Sequence, residues 1–148
     1  INHTKNYLSL MKARYEEYFD YSVNVDDALL DMPVPKLFIQ PLAENCFMHG
    51  FKDAEPPWHI EITMHGTRKA WELRIKDNGS GISPDIAQSI LDRAEKFSAN
   101  SEMGSIGGLG TVNTIVRLRL THNSNTKCII NGDDGTEIII RTGDDSHV

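Results

Sequence analysis

Two stretches of alternating apolar and polar residues constrain the fold of this chain more than any other feature. Trp58, Ile60, Ile62 and Met64 alternate with polar residues, as do Trp71, Leu73 and Ile75, and residues 66–69 supply a turn between the two stretches. Such alternation predicts a β-hairpin with one apolar and one polar face. Since one apolar face needs one covering layer, we expect helices on one side of an antiparallel sheet, an α+β fold of two layers.

Helical periodicity and capping residues predict the remaining elements. Ser83 followed by Pro84 is typical of a helix start. Pro41 interrupts the apolar run of residues 36–49, where an interior proline costs ~3 kcal/mol, so we expect a kink or a restart there, with Gly50 ending the helix. The other predicted elements are helices over residues 2–18 and 111–120, a weak strand over residues 21–25, a hairpin of residues 127–131 and 136–141, and a mobile loop over residues 98–110.

Composition and charge restrict the classes of function. The 148 residues suit one domain, and the formal net charge of −6 argues against a nucleic-acid binder, which needs a basic surface. Cys46 and Cys128 fall in apolar runs away from any zinc-type cluster, which favours buried free thiols in a reducing compartment. No apolar run approaches the ~20 residues of a membrane span. Because the sequence begins at Ile1 inside a predicted helix, we interpret it as a fragment of a longer protein.

The stretch Asp-Asn-Gly-Ser-Gly, residues 77–81, lies between a predicted strand and a capped helix. Alone, Asn-Gly is a strong signal for a hairpin turn, but here the loop leads into a helix. A carboxylate at a strand end can accept a hydrogen bond from an exocyclic amine, worth roughly 1.5–3 kcal/mol, and glycines let the backbone approach a flat ring. Asp77, Gly79 and Gly81 are therefore candidate ligand-binding residues.

Two further stretches carry candidate ligands, although each also has an ordinary structural explanation. Asn45 and His49 are four residues apart on one helix face, and an amide oxygen is a ligand that Mg²⁺ accepts. Alternatively, Asn45 bonds backbone and His49 caps the helix. The glycine-rich run 107–110 at a helix start is either a flexible loop or a phosphate cradle of backbone N–H groups, and it lacks the Lys-Ser/Thr of a Walker A loop.

In this order, the three stretches resemble the Bergerat-type (GHKL) superfamily of gyrase, heat-shock chaperone ATPases, mismatch-repair ATPases and histidine kinases, over roughly residues 33–142. The resemblance implies a mixed, mostly antiparallel sheet with helices on one face, and ATP and Mg²⁺ as cofactors. It makes Asn45 the Mg²⁺ ligand and Asp77 the adenine acceptor. The nucleotide-binding residues that it implies are Asn45, His49, Asp77, Gly79, Gly81, Ile82, Gly108, Gly110 and Thr136.

The flanking residues resemble one subfamily, the LytS/YesM-like sensor histidine kinases. Hydrolysing members of the superfamily carry a Glu four residues before the Mg²⁺ asparagine, where this chain has Pro41, so a hydrolase is disfavoured. Two departures bear on how phosphates are held: Met48 stands where the family usually has Lys or Arg, and Thr111 stands where it usually has Leu. The subfamily resemblance rests on Asn6-Tyr7-Leu8, Arg14-Tyr15, Val34-Pro35, residues 40–45 and Arg117-Leu118.

The resemblance thus implies the ATP-binding catalytic domain of a two-component sensor histidine kinase, which would transfer the γ-phosphoryl group of ATP to a histidine outside this chain. We interpret residues 1–20 as a helical linker remnant from the phospho-acceptor and dimerisation region, and residues 21–148 as the catalytic domain. The implied partners are that acceptor segment and, indirectly, a response regulator, with the domain in the cytoplasm and the parent protein anchored in a bacterial membrane. The alternatives are a catalytically weakened nucleotide-binding or interaction module, and an ATP hydrolase.

Overall fold

The computed structural model describes residues 1–32, 38–96, 110–122 and 125–143. The predicted mobile loop, Gly108 and Val34-Pro35 lie outside these ranges, apart from Gly110 at the loop's end. None of the described helices is both long and apolar enough to cross a membrane. In chain order the main elements are α1 (Asn2–Tyr15), β1 (Phe19–Val25), α2 (Gln40–Asn45), β2 (Trp58–Gly66), β3 (Trp71–Asp77), α3 (Pro84–Lys96), α4 (Gly110–His122), β4 (Lys127–Asn131) and β5 (Glu137–Thr142).

The hairpin predicted from alternation forms the centre of the sheet. Strands β2 and β3 pair antiparallel, with Ile62 opposite Ile75 and Met64 opposite Leu73. All four side chains are buried on the inner face, whereas the intervening polar residues point away from the core. A one-residue shift of register would turn this apolar row to the solvent, so burial itself selects the observed pairing.

The five strands form one sheet in the order β1-β2-β3-β5-β4. Strand β1 runs parallel to β2, and the other three pairs are antiparallel. The predicted weak strand and the predicted last hairpin are therefore both present. This mixed, mostly antiparallel sheet with helices packed against it confirms the predicted α+β fold class.

The helices bury their apolar residues in two clusters. The larger group joins Leu8 of α1 and Leu42 of α2 to the inner face of the sheet. The smaller group packs Ala94 of α3 against Val112 and Ile115 of α4. Helix α1 thus contributes to the same core as the sheet, although the division of the chain at residue 20 stays a prediction.

Replacing Leu8 by alanine is expected to lower the free energy of unfolding by about 3 kcal/mol, because the side chain is 0% exposed and its loss leaves a cavity. Leu10→Ala is the matched control: the same substitution in the same helix, at a side chain that is 67% exposed, should cost less than about 0.5 kcal/mol. Chemical denaturation of both variants measures the difference. Equal, small losses would contradict the packing of α1 on the core.

Of the predicted helix over residues 36–49, residues 36 and 37 lie outside the described ranges, residues 38 and 39 are not helical, and the restart predicted at Pro41 is confirmed. The helix α2 begins only at Gln40 and gives way to a π-helical turn, Cys46–Gly50. Pro41 lies in the first turn of α2, where no helical hydrogen bond needs its missing N–H, so it neither kinks the helix nor carries the interior cost. Gly50 belongs to the π-helical turn, and the C-cap position after the turn is occupied by Phe51.

Candidate functional site

A cavity of about 570 Å³ opens between the inner face of the sheet, α2, α3 and the start of α4. Six of the residues predicted for nucleotide binding line it: Asn45, His49, Asp77, Gly81, Ile82 and Thr136. Gly79 and Gly110 flank it through contacts described below, and Gly108 lies outside the described residues. The other lining residues are Leu42, Cys46, Gly50, Ile75, Ser83, Asp85, Ile86, Ser89, Ile90, Arg93, Thr111, Ile130 and Ile138.

Asp77 is the last residue of β3 and is only 3% exposed. Its Oδ1 atom accepts hydrogen bonds from the backbone N–H groups of Gly79, at 2.9 Å, and Thr136, at 3.1 Å. The Asp77 N–H donates in turn to the Thr136 carbonyl at 2.9 Å. A buried carboxylate needs such partners, and they also fix its orientation. With Oδ1 held by two backbone donors, Oδ2 is the oxygen with capacity left for a donor in the cavity.

Gly50 approaches the same carboxylate from the end of the π-helical turn. A Cβ atom built on Gly50 would lie 2.9 Å from Asp77 Oδ2, and one built on Gly79 would overlap the Gly50 carbonyl oxygen. The Ser80 N–H also donates to that carbonyl at 2.9 Å. Both glycines therefore allow two backbone segments to meet at Asp77. Gly50 was predicted only to end a helix, because Asp77, its neighbour in the fold, is 27 positions away in the chain.

The turn between β4 and β5 closes the other side of the Asp77 loop. Gly135 has φ +70°, and a Cβ there would overlap the Asp77 carbonyl oxygen. Gly81 has φ +79°, and its Cβ would overlap the Gly132 carbonyl. Only glycine adopts such backbone angles without strain, and only glycine fits these contacts. The arrangement of the predicted binding residues Asp77, Gly81 and Thr136 thus also depends on Gly132 and Gly135.

Asn45 lies at the end of α2, where α4 begins. Its Nδ2 donates to Thr111 Oγ1 at 2.7 Å, which leaves the amide oxygen as the atom that can face a ligand. A Cβ on Gly110 would lie 3.7 Å from the Asn45 amide and 3.7 Å from Pro41 Cβ. Thr111, which stands where the family usually has Leu, is therefore a positioning partner of Asn45. The N-terminus of α4 adds a positive dipole end here.

His49 and Met48 follow Asn45 in the π-helical turn. His49 lines the cavity together with Asn45, as their spacing predicted, although the helix between them is π-helical. Met48 is 61% exposed and does not line the cavity. The position at which the resemblance expects a cation therefore presents an apolar side chain to the solvent.

Cys46 lines the cavity beside Asp77. Burial, together with the neighbouring carboxylate, raises the pKa of its thiol well above the usual range. The thiol stays protonated, so it adds no second negative charge next to Asp77. The prediction of a buried free thiol is confirmed for Cys46, whereas Cys128 is half-buried.

Among the described residues, no group of three or more His, Cys, Asp or Glu side chains is placed to hold a metal ion. A divalent cation at this cavity would therefore rely on Asn45, on water and on oxygens of the ligand itself. This is the coordination that Mg²⁺ accepts when it is bound together with a phosphate. The residues fit a magnesium–nucleotide complex rather than an independent metal site.

Comparison with known proteins relates this chain to one family. The model of the family described as histidine kinase-, DNA gyrase B-, and HSP90-like ATPase matches residues 35–145. The sensor protein LytS of Bacillus cereus is 29% identical over 113 residues, which are 76% of this chain and 18% of that protein. The sensor histidine kinase/phosphatase LytS of Staphylococcus aureus is 32% identical over 114 residues, 76% of this chain and 19% of that protein. The chain thus spans less than a fifth of these curated relatives.

Solved structures share the fold at low sequence identity. The catalytic domain of histidine kinase ThkA superposes with a TM-score of 0.62 at 15% identity, over 97% of this chain and 91% of that one. A mycobacterial sensor histidine kinase, MprB, superposes with a TM-score of 0.57 at 19% identity, over 95% of this chain and 91% of that one. These likenesses concern the fold, and the site rests on the contacts described above.

Proposed function

Because the chain belongs to the histidine kinase-, DNA gyrase B- and HSP90-like ATPase family, we propose that it is the ATP-binding catalytic domain of a sensor histidine kinase. The observation that carries the proposal is the buried Asp77 carboxylate, with one oxygen held by backbone and the other beside the cavity. An acceptor in that position suits the exocyclic amine of adenine. The apolar walls formed by Ile75, Ile82 and Ile138 suit the faces of the ring.

Phosphates and Mg²⁺ are proposed to lie at the other end of the cavity, near Asn45 and the start of α4. Asn45 would offer its amide oxygen to the metal, held in place by Thr111. The N–H groups at the start of α4 would face the phosphates. Phosphoryl transfer needs mainly positioning and charge neutralisation, which these groups supply without a proton-transfer residue.

Asn45→Ala is expected to reduce the Mg²⁺-dependent part of the affinity for a non-hydrolysable ATP analogue on the order of 10–100-fold, the effect typical of residues that support a bound metal. Calorimetry with and without Mg²⁺ measures it. Thr111→Val removes the hydrogen bond but keeps the amide, so it should retain the Mg²⁺ dependence in weakened form. Asn24→Ala, at an exposed position of β1, is the control. An unchanged Mg²⁺ dependence in Asn45→Ala would remove Asn45 as a ligand.

Pro41 and Glu44 favour a kinase over a hydrolase. Pro41 stands close to Asn45 and Gly110, where the resemblance expects the water-activating carboxylate, and it has no proton chemistry. Glu44 is the nearest acidic residue in sequence, but it does not line the cavity and accepts a hydrogen bond from Gln40 at 3.0 Å. At the position where the resemblance expects the water-activating carboxylate, the described structure therefore offers none. The phosphoryl acceptor is proposed to be a histidine of the parent protein.

The wider role is proposed on the same basis. A dimerisation segment of the parent would present the acceptor histidine, and a response regulator would receive the phosphoryl group from it. The parent is proposed to be anchored in a bacterial membrane with this domain in the cytoplasm. Residues 1–20 would connect the two parts, with α1 packed on the catalytic core.

Labelled phosphate from γ-labelled ATP distinguishes the three candidate functions. A longer chain that contains both the acceptor segment and this domain should become labelled on histidine, and the domain alone should release almost no phosphate. Steady release of phosphate by the domain alone would indicate a hydrolase instead. Binding of ATP without labelling of the longer chain would indicate a nucleotide-binding module with weakened catalysis, the alternative that Met48 raises.

A further inference from the structure

The phosphate end of the proposed nucleotide site lacks the cation that the family resemblance expects at position 48. Met48 is exposed and is not among the residues that line the cavity. Among the described residues that line the cavity, Arg93 is the one with a permanent positive charge, and the imidazole of His49 is the other nitrogen base. A triphosphate carries several negative charges, so a site that binds one needs compensation beyond helix dipoles.

Arg93 lies on the face of α3 that borders the cavity. The lining residues of this helix, Ile86, Ser89, Ile90 and Arg93, recur at spacings of three and four, which defines one helix face. Arg93 is seven residues beyond Ile86, or about 10 Å along the axis. Since α3 starts next to the Asp77 loop, Arg93 is displaced along the cavity from the adenine end.

The packing of α3 on α4 places Arg93 and Thr111 on the lining of one cavity, which Asn45 also lines. Ala94, which follows Arg93, packs in one cluster with Val112. Thr111, which precedes Val112, lines the cavity and accepts the hydrogen bond from Asn45. Arg93 and Thr111 therefore each line the cavity next to a member of that cluster. A ligand that fills this cavity would therefore lie against the lining to which Arg93 belongs.

The Arg93 guanidinium is available for a ligand. Its side chain is exposed at the cavity, and it forms no ion pair with any residue in the described ranges, whereas Arg119 of α4 pairs with Glu95 at 2.9 Å. The carboxylates of Asp85 and Asp92 lie on the same helix, and Asp92 accepts a hydrogen bond from Gln88. A guanidinium binds phosphate oxygens in a bidentate manner, so it suits a phosphate better than a lone amine does.

We propose that Arg93 binds the phosphate tail of the nucleotide and supplies the positive charge that is missing at position 48. The inference rests on the proposed function, since it assigns a residue to the same site. It makes Arg93 a determinant of triphosphate over nucleoside binding. It also places a phosphate contact on α3, the helix that follows the Asp77 loop.

Calorimetry with two ligands tests the proposal: Mg²⁺ with a non-hydrolysable ATP analogue, and adenosine, which lacks phosphates. Arg93→Gln should weaken binding of the triphosphate by at least about tenfold and leave binding of adenosine within about twofold of wild type. Arg93→Lys should recover part of the triphosphate affinity. Equal losses for both ligands would show a structural role, and no loss for the triphosphate would show no role; either result overturns the proposal.

Lys69→Gln is the matched control for the change in charge. Lys69 is exposed in the turn between β2 and β3, at the end of the sheet opposite Asp77, and its removal should leave both affinities unchanged. If Lys69→Gln lost as much triphosphate affinity as Arg93→Gln, the loss would be explained by the change in net charge alone, and the proposal would be overturned. The wild-type chain separates this test from the proposed function. Binding of neither ligand would overturn both, whereas triphosphate binding that Arg93→Gln leaves intact would overturn the Arg93 assignment alone.

Discussion

Asp77→Asn is expected to weaken binding of a non-hydrolysable ATP analogue about 100-fold, or ~3 kcal/mol. The asparagine oxygen would replace Oδ1 and keep accepting from the Gly79 and Thr136 N–H groups. Its NH₂ group would then stand in place of Oδ2 and oppose the exocyclic amine of adenine, donor against donor. The fold would survive, because the backbone contacts of the loop remain. Calorimetry measures the affinity, and thermal unfolding checks the fold.

The control for this variant is Asp53→Asn, which makes the same chemical change at an exposed residue after the π-helical turn. It should bind the analogue as wild type does. Inosine triphosphate, which has a 6-oxo group in place of the amine, gives a test from the ligand's side and should bind wild type poorly. Undiminished binding of the ATP analogue by Asp77→Asn would exclude Asp77 as the acceptor for adenine.

Gly135→Ala is expected to abolish measurable nucleotide binding and to lower the free energy of unfolding by at least ~2 kcal/mol. The left-handed backbone at φ +70° costs a non-glycine residue about 1–2 kcal/mol, and the added Cβ would overlap the Asp77 carbonyl oxygen. Since the contacts are with backbone, the loop cannot yield by rotating a side chain. The Thr136 N–H would move away from Asp77 Oδ1, and the carboxylate would lose its orientation. Calorimetry and chemical denaturation measure the two effects.

Gly110→Ala is the matched control for stability. The nearest atoms to a Cβ at Gly110 are 3.7 Å away, which is an ordinary van der Waals contact, and the residue begins a helix. The free energy of unfolding should stay the same or rise by less than about 1 kcal/mol. If Gly135→Ala proved as stable as Gly110→Ala, the close approach of the β4–β5 turn to the Asp77 loop would be wrong.

The sheet was predictable from the sequence because its signal is local. Alternation over residues 58–64 and 71–75 reports burial on one face, and burial also sets the register. Ser83 and Pro84 likewise marked the start of α3, and the Ile86 N–H does donate to Ser83 Oγ. Pro41 marked the start of α2 because a proline fits the first turn of a helix, whereas the π-helical turn that follows was missed because such turns have no clear sequence signature.

The candidate site was predictable where a residue acts through its own chemistry and not where it acts by leaving space. Asp77 and Asn45 were identified from their functional groups and their place in a motif. Gly50 and Gly132 contribute the absence of a Cβ beside a distant segment, which only the folded chain shows. Thr111 was noticed only because the family usually has Leu at that position. Its hydrogen bond to Asn45 depends on the packing of α2 against α4, which the sequence does not show.

The direct test of the central claim is a titration of the isotope-labelled chain with Mg²⁺ and a non-hydrolysable ATP analogue, followed by the backbone amide signals in NMR. The largest changes are expected at Gly79, Gly81, Thr111 and Thr136, which surround the cavity. The signals of Thr67 and Lys69, at the opposite end of the sheet, should stay unchanged. Absence of any change would contradict the account. So would changes centred instead on the groove between α4 and β4, at Arg119 and Lys127.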